Sequence, residues 1–553
     1  MEMNYDESTL HQIEAELGTV IYPGTEIMTD TGTHHFVKSS NKSHRVLVPQ
    51  PSQDPHDPLN WSRGWKFTTM AIATATSFTQ GFGPLALAPM FPQLIEAFNT
   101  DIAGVVRFAG VCILILGFSN FLWIPLQTAF GRRPVLIFST IICLASNIWR
   151  ALATSYGSYM GACILNGLGA GPAETSQPEI IADIIFLHDR GAYNTMYFTA
   201  YFGSLMVGPI IAGPMAEHTG WRSFFWLNVG ILGVTLLLQI FFFPETKWHR
   251  AHPDEIDAQE IDVQEYQNSM ANPLEKEKAG KISQDESVVK SVVDEELVQS
   301  ITGHGTPSKQ QFKLWQQSDN NLKTIAIAFI TPWKLLTFPI VEFSAFVVSW
   351  SASCFLTLNL TQSQAFTAPP YNFDSQTIGF FNFAIFIGSL IGLATNGPLS
   401  DWISMRATRR NGGVREPEMR LSAMAIYVVI MIIGNMVVAF GYKYKWDWKI
   451  IVIIGYTAIG IQVSALPAIT STYAVDSYKP VAGSIFVAIT VNKNLWGYGF
   501  SEFITPWIIK SGFVDPIMLN MSLTTLWCLF AIPLYFYGKK FRGWTAKSSV
   551  HKM

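Results

Sequence analysis

The sequence predicts an all-α polytopic membrane protein, with twelve transmembrane helices in two six-helix pseudo-symmetric bundles. Three observations predict it. Apolar runs of about 20 residues, the length that crosses a bilayer core as a helix, recur along most of the 553 residues. Nearly all charge lies between and beyond those runs, and charged residues make up only 14 % of the chain, against about a quarter in soluble domains. A short loop pattern occurs twice, six helices apart. A closed β-barrel is excluded, because the runs are continuously apolar and do not alternate with period two. The formal net charge of −3 excludes a broadly basic nucleic-acid binder. All five cysteines fall inside apolar runs, as small buried hydrophobes do, which excludes a disulfide-stapled secreted fold.

Residues 1–65 are polar and mixed in charge, without the apolar core or cleavage site of a signal peptide. They read as a disordered tail, and the first apolar run stays as a spanning helix. The first bundle, 66–243, places helices at roughly 67–97, 106–129, 134–154, 157–180, 192–216 and 221–243. Its span 1 is interrupted by Gln80-Gly-Phe-Gly-Pro-Leu-Ala-Leu-Ala-Pro89, and helices broken near mid-depth often line a cavity. In span 5 Gly203, Gly208, Ala212 and Gly213 allow close backbone approach, and Pro209 removes one hydrogen bond and bends the helix. Ordinary helix packing needs the same residues. Residues 244–335 form a linker, acidic and Ser/Gln-rich around Asp254–Glu296, expected to be a mostly disordered tether. It ends in a short amphipathic helix near Leu322–Leu336 against the membrane. The second bundle, 336–538, repeats the plan at roughly 338–362, 376–400, 421–441, 448–474, 480–510 and 516–538, and 539–553 is a tail. The sequons at Asn359 and Asn520 lie too close to the bilayer for glycosylation.

Orientation follows from lysine and arginine. Arg132, Arg133, Arg190, the cluster Arg406–Arg420 and Lys539, Lys540 and Arg542 share one side, while the Gln362–Asp374 loop has neither residue. Lys443, Lys445 and Lys449 oppose this, but the even span count and two basic ends outweigh them. Both termini are expected in the cytosol, with the plasma membrane as the site.

The repeated pattern is Ile124-Pro-Leu-Gln-Thr-Ala-Phe-Gly-Arg-Arg-Pro134 after span 2, and Gly397-Pro-Leu-Ser-Asp-Trp-Ile-Ser-Met-Arg406 after span 8. It resembles the major facilitator superfamily, whose loop reads Gly-x-Leu-x-Asp-Arg-x-Gly-Arg-Arg/Lys. The first copy keeps Leu126, Gly131, Arg132 and Arg133 but has Ile124 and Thr128 for the Gly and Asp. The second keeps Gly397, Leu399 and Asp401, with Arg406 behind. The resemblance implies that this loop latches the two halves on the cytosolic side, with Asp401 the better candidate for the latch. A closer likeness is to the fungal twelve-span drug:proton antiporter branch. It is carried by Asp57-Pro-Leu-Asn-Trp-Ser62, Gly167-Leu-Gly-Ala-Gly-Pro-Ala-Glu174, Ala182-Asp183, His188-Asp-Arg-Gly191, Gly208-Pro-Ile-Ile-Ala-Gly213 and Phe243-Pro-Glu-Thr246. The stretch Asn411–Leu421 is similar to the subgroup that includes the yeast polyamine and cation carrier. One departure matters. Where the branch has an Arg tied to proton movement in span 4, this chain has Cys163, and Arg150 in span 3 lies nearer the outer surface.

Ionisable groups within spans are the sharpest chemical signal, because a charge at mid-bilayer costs about 2.5–3.5 kcal/mol even on insertion scales. Glu174 lies in span 4, Lys493 and Glu502 in span 11 beside Asn492 and Asn494, and Glu342 at the start of span 7. With Gln80 these are the candidate residues of a substrate or proton cavity, Glu174 as proton carrier and Lys493 as its counter-charge. A purely structural Lys493–carboxylate pair is the plain competitor. Gly131, Arg132, Arg133, Gly397, Asp401, Arg406, Gly208, Pro209 and Gly213 are the conformational candidates. There is no Walker motif, histidine metal pattern or nucleophile elbow, so no enzyme, cofactor or metal is expected. The expected function is proton-coupled secondary transport by alternating access, as a monomer, exporting drugs or secondary metabolites. Uptake of polyamines or other organic cations is the alternative, and a non-transporting membrane sensor is the alternative of another class.

Overall fold

The computed structural model describes residues 22, 24–27, 51–52, 54–186, 190–248, 303–314, 321–412, 414–478, 481–546 and 548. Span 1 is a helix, Arg63–Gly81, then a non-helical stretch, a 3₁₀ turn at Ala88–Met90 and a short helix Phe91–Phe98. Spans 2 and 3 are Ile102–Phe130 and Arg132–Leu152. Span 4 is two helices, Tyr156–Ala170 and Pro172–Ile184, followed by span 5, Arg190–His218, and span 6, Trp221–Phe242. In the second half, spans 7 and 8 are Pro339–Phe366 and Ser375–Arg410. Span 9 is a 3₁₀ turn, Pro417–Ala423, continued by Met424–Tyr444, and span 10 runs from Trp448 through a π-helical turn, Ile451–Tyr456, to Ser477. Span 11 is Ala482–Ser511. Span 12 is Val514–Leu529 and Ala531–Thr545, which meet at 41°. Spans 2, 3 and 5 to 10 are apolar enough to cross alone. Spans 1 and 4 are interrupted, 12 is bent, and 11 is diluted by Asn492, Lys493, Asn494 and Glu502.

Short polar residues start several helices by capping their free N–H groups. Asp101 accepts from the Gly104 amide at 2.8 Å, and Asp374 from that of Thr377 at 3.1 Å. The hydrogen bonds from Thr377 hold the Asp374 carboxyl below its ordinary value.

The halves meet along two seams, span 2 against 11 and span 5 against 8. Glycine makes both possible. A Cβ on Gly110 would come within 2.3 Å of Ser501 Oγ, and one on Gly117 within 2.5 Å of Asn494 Cβ. Gly213 and Gly379 bring spans 5 and 8 into backbone contact, with the Pro209 carbonyl 2.8 Å from the position of a Gly379 Cβ.

The termini face departs from expectation in three places. The linker is not a plain tether throughout. Residues 303–312 fold against the segment before span 1, where the Asn60 carbonyl accepts from the amides of Gly303 and Gly305, both at 2.9 Å, and buried Trp61 bridges to Gly305. The Glu245 amide donates to the Gln311 carbonyl at 2.8 Å, fixing this knot to the end of span 6. The acidic stretch Asp254–Glu296 lies outside the described residues. Second, part of the N-terminal tail is paired: strand β1 (Glu26–Ile27) runs antiparallel to β2 (Val414–Arg415), next to the second half. Third, span 12 continues to Thr545, so 539–545 is not free tail. Arg542 is fully buried and donates to both carboxylate oxygens of Glu418 at 2.8 and 2.9 Å. It also contacts Glu416, whose other oxygen takes Lys539 at 2.9 Å. Burial pushes the Glu416 carboxyl up, but Arg542 and Lys539 more than offset this, and it lies below its ordinary value. Finally, the expected amphipathic helix is Asn321–Leu335. It packs on spans 2 and 11, its Trp333 ring stacked 4.6 Å from Phe121.

Removing Arg542 strands Glu418 in a buried position, so Arg542→Ala should destabilise by about 3–5 kcal/mol, read as a lower melting temperature in detergent. The depressed Glu416 carboxyl adds stability above its unfolded pKa, about pH 4.3, that is lost as pH falls through the lower folded value. In the linker, a deletion confined to 255–300 should leave that temperature within a few degrees of the full chain. Extending it through 312 should cut folded yield severely, and an equal yield from both deletions would show the knot to be dispensable.

Candidate functional site in the central cavity

The site begins with a broken helix. In span 4, Pro172 has no N–H for the Leu168 carbonyl, and Pro178 has none for that of Glu174. Neighbouring spans supply the donors. Trp123 of span 2 donates from Nε1 to the Leu168 carbonyl at 2.7 Å. Tyr197 of span 5 places its hydroxyl 2.8 Å from the Glu174 carbonyl and 3.1 Å from that of Ala173. Gly171 fits closely at the break, where a Cβ would lie 2.1 Å from Ser119 Oγ and force that side chain to shift. The break puts Glu174 in the first turn of the helix Pro172–Ile184, where exposed amides favour a carboxylate.

Glu174 borders a cavity of about 120 Å³ between the two halves. Its wall is mostly apolar and aromatic, with Phe198 and Tyr201 from span 5, Phe355 from span 7 and Phe486 from span 11. Glu174 and Lys493 are the charged residues among the described lining. They form an ion pair across the seam, Lys493 Nζ to Glu174 Oε1 at 2.5 Å. Tyr201 donates its hydroxyl to the same oxygen, and Asn494 Nδ2 reaches Oε2 at 2.9 Å. Lys493 also sits 5.6 Å above the Tyr201 ring. Glu174 is 7 % exposed, so its charge depends on these partners rather than on water.

The other cavity candidates lie elsewhere. Glu502 is nine residues past Lys493, about 13 Å along the helix. It pairs with Arg107 at 3.1 Å on the face away from the termini, half in solvent. Gln80 is buried inside the first half, donating to Ser139 and Thr140, both at 3.0 Å. Asn492 turns to span 7 and accepts from Ser349 at 3.2 Å, because a single residue step rotates it about 100° from Lys493. Glu342 is in the first turn of span 7, outside the cavity lining. Sequence reasoning missed Tyr197 and Tyr201, although their i, i+4 spacing on span 5 sets both rings on one face. Asn494 was noticed only as a neighbour of Lys493.

The loop motif performs local chemistry in each half. Gly131 has φ +104°, and a Cβ there would lie 2.3 Å from Glu245 Oε2. That freedom lets the Glu245 carboxylate accept from the amides of Arg132 at 2.8 Å, Arg133 at 3.0 Å and Lys247 at 2.9 Å, capping span 3. Arg132 reaches Asp183 at 2.9 Å and Glu179 at 3.7 Å, and Arg133 donates to the Ile240 carbonyl at 2.8 Å. Spans 3, 4 and 6 are thus tied at their ends. Burial and the nearby Arg132 push the Lys247 ammonium below its ordinary value. In the second half Arg420, not Arg406, plays the matching part, reaching Asp401 at 3.1 Å and Asp476 at 3.0 Å. Arg406 lies over the exposed Trp402 ring, and a Cβ on Gly397 would meet open space. Asp401 stays within its own half at 62 % side-chain exposure. On the termini face it is Glu179 that approaches the opposite half, 2.7 Å from where a Cβ on Gly483 of span 11 would sit. On the other face the halves touch through Gln93–Ser375 at 3.0 Å and His218–Gln376 at 2.7 Å. Among the described residues no group of three His, Cys, Asp or Glu could hold a metal ion.

The family model described as Major Facilitator Superfamily matches residues 70–498. The chain belongs to the Major Facilitator Superfamily. It is therefore a multi-pass membrane transporter of small molecules. The chain is 25 % identical over 520 residues to an uncharacterized MFS-type transporter of Schizosaccharomyces pombe, covering 91 % of this chain and 89 % of the relative. It is 26 % identical over 548 residues to Protein HOL1 of Saccharomyces cerevisiae, covering 91 % of both. It is 23 % identical to the MFS antiporter QDR3 of Candida albicans, covering 88 % of this chain and 80 % of the relative. Among solved structures the proton:xylose symporter XylE aligns with TM-score 0.54 at 13 % identity, over 86 % of this chain and 97 % of that one. The human organic anion transporter MFSD10 aligns at 0.51 and 14 % identity, over 84 % and 99 %. At such identities both structures speak to the fold alone.

A buried pair that loses one partner costs about 3–5 kcal/mol, whereas replacing both can be neutral. Lys493→Met should therefore lower the melting temperature more than Lys493→Met/Glu174→Gln does. If the double variant were the less stable, the pair would not be coupled as described.

Proposed function

We propose that the protein is a proton-coupled exporter of small organic solutes, working as a monomer in the plasma membrane with both termini cytosolic. The single observation behind this is the Glu174–Lys493 tie across the seam. Ionised Glu174 attracts Lys493 and orients Asn494 and Tyr201, which draws span 11 toward spans 4 and 5. A proton on Glu174 removes that attraction, so protonation and the separation of the halves become one event. A proton entering from outside then loosens the halves, and its release to the cytosol restores the tie. The cavity is completed within one chain, so no second copy is needed. The placement of Arg132, Arg133 and Arg420 on the termini face supports a cytosolic location for that face.

A second reading is favoured by one feature of the same site: an organic cation could replace Lys493 at Glu174. That would make the protein a carrier of polyamines or related cations.

The test uses the purified protein in vesicles, with an imposed pH gradient and a labelled panel of polyamines, cationic dyes and neutral aromatics. Glu174→Gln should abolish accumulation driven by the gradient, by tenfold or more, while exchange of labelled for unlabelled solute persists. Full pH-driven accumulation in Glu174→Gln would contradict the coupling proposed here.

A further inference from the structure

We propose that the transported solute carries an anionic group, and that Arg150 acts with Lys493 to select it. This inference rests on the transport reading above and names the charge of its cargo.

Arg150 ends span 3 and is fully buried. Its Nη2 reaches Cys112 Sγ of span 2 at 3.5 Å, it contacts Cys163 of span 4, and its plane lies 5.7 Å from the Phe225 ring of span 6. Nε and Nη1 have no hydrogen-bond partner, and no Asp or Glu pairs with the guanidinium, among the described residues. The other polar groups around it, Asn147, Asn228 and Tyr159, are neutral, and Asn228 Oδ1 and the Tyr159 hydroxyl also lack partners. A guanidinium stays charged in proteins, and a buried charge without a counter-charge is strongly unfavourable. Within a membrane transporter such a residue is a functional candidate.

Arg150 does not itself line the cavity, but the break of span 1 touches both. A Cβ on Gly83, in the break of span 1, would sit 3.7 Å from Arg150 Nη1. The next two residues, Pro84 and Leu85, line the cavity. The charges near the cargo are then Arg150 and Lys493 against Glu174 alone, a net excess of one positive charge. Protonating Glu174 raises that excess to two. In a partly dry cavity a cationic solute adds to the imbalance, and an anionic one removes it. Cys163 of span 4 contacts the Arg150 guanidinium, so an Arg at position 163 would start from the same region.

The experiment measures binding, by thermal shift, and pH-driven transport of three scaffold-matched probes, 2-naphthoate, 2-naphthamide and 2-naphthylmethylamine. We expect naphthoate to bind the full chain at least tenfold more tightly than the amine. Arg150→Gln should lose that preference while leaving amide binding within twofold, and Arg150→Lys should retain part of it. Arg150→Gln/Cys163→Arg should recover most of it, and this pair decides the matter if Arg150→Gln does not fold. Tighter binding of the amine, or an unchanged preference in Arg150→Gln, overturns the proposal. Proton-coupled transport of spermidine in preference to naphthoate overturns it too, while leaving the coupling through Glu174 standing. Arg150-dependent naphthoate binding without any pH-driven transport supports the anion site and sinks the coupling.

Discussion

One carboxylate and one ammonium, buried against each other at the seam between two helix bundles, set the terms for the rest of this molecule. A buried ion pair is not a free source of stability, since each ion gives up hydration that its partner must replace. The protein supports the pair on every side. Span 4 is broken at Gly171 and Pro172 so that Glu174 stands at a helix start, Trp123 and Tyr197 repair the carbonyls that Pro172 and Pro178 orphan, and Gly117 leaves room for Asn494. These features make sense if Glu174 must be held in place while the residue opposite it moves.

Movement of whole halves requires that each be rigid, and the termini face shows how that is done. In the first half the Glu245 carboxylate caps span 3 and Arg132 binds the end of span 4. In the second half Arg420 joins Asp401 to Asp476, and Arg542 locks span 12 to the start of span 9. Between the halves the contacts are mostly of another kind: glycine-lined crossings at spans 2/11 and 5/8, with two neutral hydrogen bonds and the part-exposed Arg107–Glu502 pair on the far face. Among the described residues most charged contacts lie within one half, and the exceptions are the central pair and the more exposed Arg107–Glu502 pair on the far face. That division suits alternating access.

Much of the architecture was legible in the sequence because a bilayer admits few solutions: apolar runs of spanning length must be helices. Glu174 and Lys493 stood out for the same reason, since charge in a span is costly. What could not be read was direction around the helix axis. Asn492 and Asn494 flank Lys493 equally in sequence, yet one step of about 100° sends Asn492 to span 7 and two steps bring Asn494 to Glu174. Gln80 and Glu502 failed for related reasons, one facing inward within its own half and the other lying at the wrong depth. Arg420 was hidden among several basic residues whose partners depend on tertiary contact. The knot at 303–312 was hidden too, because its stability comes from pairing with residues some 250 positions away.

The central claim is that the proton on Glu174 governs whether the halves are held together. The most direct measurement is the distance between spin labels placed on the two halves at the termini face, followed as a function of pH in wild type and in Glu174→Gln. The account predicts a pH-dependent change of distance distribution in wild type. In Glu174→Gln it predicts the wild-type low-pH distribution at every pH. A Glu174→Gln protein whose distances still titrate as the wild type does would contradict it.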